Sequence, residues 1–134
     1  MDLQSFSDVL FQERRLLELL LFKLDEEQLV LEAGRTRWLA LASREVETVL
    51  DELNKVELGR SVVVASVAPD LGLGTDATLQ SVVEAVARPW DSLFAEHHRE
   101  LKSLMAEVLD AAASSRALLR DGYDTIRQAL EATG

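Results

Sequence analysis

What most constrains the fold of this chain is the spacing of its apolar residues. From Leu3 onward they fall alternately three and four apart, at Leu3, Phe6, Leu10, Leu17, Leu20, Leu24, Leu31, Trp38 and Leu41, with Glu13, Glu27 and Gly34 in the skipped positions. After a one-residue slip the pattern resumes at Ala42, Val46, Val49, Leu53 and Val56. Side chains three and four apart share one face of a helix, whereas a half-buried strand alternates every second residue, and no such alternation runs through this segment. The spacing predicts a long amphipathic helix, and Asp2, Ser5 and Asp8 supply capping groups and acids for its positive end.

The stretch Arg60 to Ala68 is rich in valine, yet a strand there would find no partner strand elsewhere in the chain. It reads as the last turns of the same helix, which then covers about 3–68 and stops at Pro69. Gly34 costs this helix about 1 kcal/mol relative to alanine. It marks either a break into four helices or a close approach of another helix, and a continuous helix is the expectation. Pro69 to Thr75 reads as a turn, followed by a short helix over about 77–87, capped by Thr75 or Asp76 and burying Leu79, Val82, Val83 and Val86. The three–four spacing then returns without a slip at Trp90, Phe94, His97, Leu101, Leu104, Val108, Ala111, Ser115, Leu118, Gly122, Ile126 and Ala129, a second long helix over about 90–131. The expected fold is all-α, an elongated antiparallel helical bundle or coiled coil of two long helices plus one short helix, in one domain over 1–134.

Composition narrows the function. The formal charge is −10 over 134 residues, and each half carries −5, so there is no basic patch of the kind that wraps nucleic acid or clings to an anionic bilayer. No nucleic-acid partner and no stable membrane insertion are expected. The most apolar run, Leu16 to Phe22, contains Glu18 and is far shorter than the roughly 20 residues that span a bilayer. The start Met1-Asp2-Leu3 lacks the bases of a secretory signal, which predicts a soluble cytoplasmic protein.

Catalytic groups are scarce. Cysteine is absent, no serine sits in a nucleophile-elbow sequence, and Gly72-Leu73-Gly74 is too short for a phosphate loop. The Glu-x-x-His pairs of a di-iron bundle do not occur. His97 and Glu100 stand one helical turn apart and read as an interfacial histidine paired with a carboxylate rather than as metal ligands. The expectation is no enzyme, no metal and no cofactor. Asp25-Glu26-Glu27 reads as a solvated helix face, and Trp38 and Trp90 as packing residues.

Over nearly its whole length the sequence resembles the FlgN family of flagellar export chaperones. The match is carried by Leu16-Leu17-Glu18-Leu19-Leu20-Leu21 running into Glu27-Gln28-Leu29-Val30-Leu31-Glu32-Ala33-Gly34, then by Val56-Glu57-Leu58-Gly59-Arg60, Asp70-Leu71-Gly72-Leu73 and Thr78-Leu79. It continues through Leu101 to Leu104 and the turn Ser115-Arg116-Ala117-Leu118-Leu119-Arg120-Asp121-Gly122, where Ser115 replaces the family's usual Asn. Many members carry a further tail past the position of Gly134.

The resemblance implies a chaperone that binds hook–filament junction proteins in the cytoplasm, keeps them unassembled and delivers them to the flagellar type III export gate. The apolar stripe for such a client is expected on the last helix, at Leu118, Leu119, Tyr123, Ile126 and Leu130, which span more of the helix circumference than one seam needs. The plain alternative is that all five are core. Related export chaperones use a tyrosine on this helix at the gate, which implies that role for Tyr123. Arg116, Arg120 and Arg127 flank the stripe and would steer acidic surfaces. A rival reading is a structural coiled-coil or adaptor protein whose stripe closes a stable homodimer without a client.

Overall fold

A computed structural model describes residues 2–74 and 76–132, and within these the side chains of 118, 119, 122–127, 129 and 130 lie outside the description. The elements are α1 (Leu3–Glu32), α2 (Thr36–Val67), a 3-10 turn (Ala68–Leu71), α3 (Leu79–Ala85) and α4 (Trp90–Ala132), with no strand among the described residues. The all-α antiparallel bundle is borne out, with one correction. The helix expected over 3–68 is broken at Gly34 and folded back into a hairpin.

The local reason is a Schellman ending. Gly34 sits at φ +69°, its N–H donates to the Leu31 carbonyl (3.1 Å), and the Arg35 N–H donates to the Val30 carbonyl (3.0 Å). Only a residue without Cβ takes this left-handed position without strain. The same motif recurs after Pro69, where Gly72 at φ +72° lets the Leu73 N–H reach the Ala68 carbonyl at 2.9 Å. At the front of α1, the Asp2 carboxylate accepts from the Ser5 N–H (2.9 Å) and hydroxyl (2.6 Å), satisfying one of the free donors of the first turn.

The global reason is burial. Folding back sets Leu17, Leu20 and Leu24 in one cluster with Val46, Val49 and Leu53, two apolar faces that a straight helix would leave in water. The one-residue slip at Ala42 marks the new helix: Ala42, Val46, Val49 and Leu53 are buried, whereas Trp38 and Leu41, which continue the frame of α1, are exposed. Cross-links show the hairpin is antiparallel, since Arg60 bonds Glu13, Glu45 bonds Lys23 and Ser43 bonds Glu27.

Helix α4 packs on the other flank of α1 and runs parallel to it. Phe94 meets Phe6 edge-on at 5.1 Å between ring centroids, and His97 meets Phe11 at 4.3 Å. Between α2 and α4, the short α3 is capped by Thr78, not by the expected Thr75 or Asp76. The Thr78 hydroxyl accepts from the Ser81 N–H while Ser81 Oγ accepts from the Thr78 N–H, a reciprocal box. Val82 and Val86 are buried beside α4, with Leu79 and Val83 half-buried around them. The valine-rich turns before Pro69 are helical as expected, because Val64 and Val67 gain core burial that outweighs their modest helix propensity.

Candidate functional site

Buried polar side chains, His97, Glu13 and Glu27 among them, join α1 to its neighbours. His97 is 0% exposed. Its Nδ1 lies 3.2 Å from an Arg14 nitrogen and its Nε2 lies 3.2 Å from the Ser7 hydroxyl. A guanidinium has donors only, so Nδ1 accepts and the ring proton resides on Nε2, donated to Ser7. Burial pushes the His97 pKa below its ordinary value, and the Arg14 charge pushes it further, against a smaller pull from Glu96. The ring is therefore neutral, which corrects the expected carboxylate partner: His97 is bound by a hydroxyl and an arginine of α1.

Glu13 is 3% exposed, with Oε1 accepting from Arg60 at 3.0 Å and Oε2 bonded to no described residue. Burial raises its pKa, Arg60 opposes that rise, and Glu57 adds to it. Glu27 is also buried and accepts from Ser43 at 2.9 Å, so the acidic run 25–27 is solvated only in part. Trp38 is a second correction. It lies exposed at the hairpin tip with the Arg37 guanidinium 4.7 Å over its ring, while Trp90 packs half-buried against Phe94. Among the described residues, no group of three or more His, Asp or Glu side chains is placed to hold a metal ion.

The end of α4 is the second feature. This helix begins beside the first turns of α1 and has 43 residues against 30. With Phe94 level with Phe6, Glu32 at the end of α1 is level with residue 120, and about the last dozen residues of α4, roughly 18 Å, extend past the helix that carries the rest of it. Phe94, His97, Leu101, Leu104, Val108 and Ser115 are its buried residues along α1, and the same spacing in the sequence continues to Ile126. Ser115 is buried with its hydroxyl bonded to no described residue. The backbone of the expected client stripe belongs to α4, but the side chains of Leu118, Leu119, Tyr123, Ile126 and Leu130, and of Arg127, lie outside the described residues. Arg116 and Arg120 are exposed.

With this geometry in hand, comparison with known proteins is decisive in one respect. A family model described as FlgN protein matches residues 1–133. The chain belongs to the FlgN family. No curated protein and no solved structure matches it. The FlgN family is a chaperone family of flagellar biogenesis, and this member is all-α like the expectation drawn from its leucine spacing. No helix among the described residues is long and apolar enough to cross a membrane.

The sequence reading of this FlgN-family chain missed one surface. Phe22 and Leu29 stay exposed beside Trp38 and Leu41 at the hairpin tip. The signal was present: Phe11, Phe22 and Leu29 fall outside the three–four frame of α1 and recur among themselves at multiples close to two and three helical turns.

Proposed function

We propose that this FlgN-family protein is a cytoplasmic export chaperone for hook–filament junction proteins. It holds an amphipathic client segment on the C-terminal part of α4, keeps the client unassembled and hands it to the flagellar type III export gate. The observation that supports this reading is the length of α4: its end passes beyond α1 while its apolar spacing continues, so a helix-in-groove partner has a stripe to pair with. Leu118, Leu119, Tyr123, Ile126 and Leu130 are the proposed client contacts, Tyr123 the gate contact, and Arg116, Arg120 and Arg127 the flanking cations. A client that folds on binding spends part of its interaction energy on ordering itself, which keeps affinity moderate and release feasible.

A chain truncated after Ala113 tests the assignment. It keeps α1, α2, α3 and the α4 turns that carry Phe94 to Val108, so most helix content by circular dichroism is retained while binding of junction-protein terminal segments is lost. Undiminished binding by a folded truncation refutes the assignment of the site to α4.

A further inference from the structure

Helix α4 carries a second apolar frame that its packing on α1 does not use. Leu104 and Val108 are buried, whereas Met105 and Leu109, one residue on, are 37% and 58% exposed. From Met105 the sequence runs alternately four and three apart through Leu109, Ala112, Arg116, Leu119 and Tyr123, and meets the α1-facing frame at Ile126. A repeat of this period forms a seam along which another helix packs. The seam starts about four turns before the point where α4 passes the end of α1, so it runs along the bundle as well as along the projecting end.

Charge says what lies on the seam. The bases of α4 are Arg99, Lys102, Arg116, Arg120 and Arg127. Lys102 and Arg116 stand in the seam frame itself, and Arg99, Arg120 and Arg127 stand at multiples of seven on the row beside it. From Glu96 to Glu131 every acid falls on two other rows, further round the helix. A helix laid on the seam therefore meets cations along one flank and is matched by carboxylates of its own. A second copy of this chain brings none. Paired antiparallel, the cationic row faces itself, with Ala106 and Ala113 between the arginines; paired parallel, it faces Val108, Ser115, Gly122 and Ala129.

We propose that the client seam of α4 begins at Met105 and Leu109 and takes an amphipathic helix of another protein whose flank is acidic. This rests on the reading of α4 as the client site and names the chemistry of its partner. Fluorescence anisotropy tests it with two labelled peptides of about 28 residues, each with leucines alternately three and four apart, one flanked by glutamate and one by lysine. The glutamate peptide binds the full chain at least about tenfold more tightly at low salt, and Leu109→Gln weakens that binding at least about tenfold. Arg116→Glu/Arg120→Glu reverses the preference between the peptides, which loss of fold does not do. Because Leu109 is mostly in water, Leu109→Gln keeps its helix content and melting temperature. Asp110→Asn, at an exposed position on an acidic row, leaves binding unchanged. The proposal is overturned by equal binding of the two peptides, by binding of neither, by undiminished binding to Leu109→Gln, or by a preference that survives the charge reversal. Truncation after Ala113 separates it from the reading it rests on. Junction-protein segments that bind the truncated chain undiminished remove the client site from α4, whereas loss of their binding beside an indifferent Leu109→Gln confines the site to the projecting end and overturns only the longer seam.

Discussion

Replacing Arg60 by methionine removes the cation bonded to the Glu13 carboxylate while keeping an aliphatic stem over α1. Glu13 is 3% exposed and its second oxygen is already without a described partner, so the variant leaves a nearly desolvated charge with no compensation. Stripping one partner from a fully buried pair costs about 3–5 kcal/mol. Here the Arg60 side chain is 33% exposed, so water already screens part of the attraction and the expected loss is smaller, about 2 kcal/mol. The double variant Glu13→Gln/Arg60→Met removes the charge along with its partner and regains at least about 1 kcal/mol. Urea denaturation at pH 7, followed by circular dichroism, measures all three chains.

The pH dependence gives an internal check. The Glu13 pKa is raised above its ordinary value of 4.5 by burial. The folded state then binds the proton more tightly than the unfolded one, so the penalty is absent below about 4.5 and complete above the raised folded value. Loss of Arg60, whose charge opposes the rise, widens that window, and the deficit of Arg60→Met therefore shrinks as pH falls towards 4.5. An Arg60→Met chain within about 0.5 kcal/mol of the parent, or a double variant no more stable than the single one, refutes the account of Glu13 as a buried charge held by Arg60.

Three further outcomes follow from single side chains. His97 has a pKa depressed below its ordinary 6.5, so the unfolded state binds more protons and stability falls as pH drops through and below 6.5; His97→Gln removes that slope in urea melts between pH 8 and 5.5. Gly34→Ala meets no atom within 4 Å but must hold φ at +69°, so it loses about 1 kcal/mol by thermal melting without disturbing the packing around it. Ser115→Ala removes a buried hydroxyl that bonds no described residue, and stability rises by up to about 1 kcal/mol, again by urea melts.

The polar contacts of α1 carry a further structural consequence. Ser7 and Arg14 bond His97 of α4, while Glu13 and Glu27 bond Arg60 and Ser43 of α2. Leucine-rich faces alone pack almost equally well after a slip of one heptad, but such a slip separates each of these pairs and strands its buried members. The Glu13 and Glu27 contacts hold the register of the hairpin, and the His97 contacts hold the register in which α4 is left projecting beyond it.

Much of this was legible in the amino-acid sequence. Leu17, Leu20, Leu24, Val46, Val49 and Leu53 were assigned to buried faces from spacing alone, and they are the core. Glu13 and Glu27 fill skipped positions of the apolar frame, and both are buried with partners, although the run 25–27 reads in the sequence as a solvated face. The cap of α3 was misplaced by two or three residues, because Thr75, Asp76 and Thr78 are all competent caps and only the reciprocal bond with Ser81 distinguishes the last. The acid one helical turn from His97 in the sequence is Glu100, and Ser7, ninety positions away, supplies the bond instead.

By itself the sequence determined which faces of which segments are apolar, because a helix repeats every 3.6 residues and that period is a property of neighbours along the chain. Only the tertiary structure decided that the first sixty-odd residues turn back at Gly34, that α4 lies parallel to α1, and that Phe22, Leu29 and Trp38 remain in water. A glycine in a helical pattern is compatible with a straight run or a left-handed turn. The difference is settled by the apolar area that two folded-back faces remove from water together, a quantity that exists only between residues far apart in sequence.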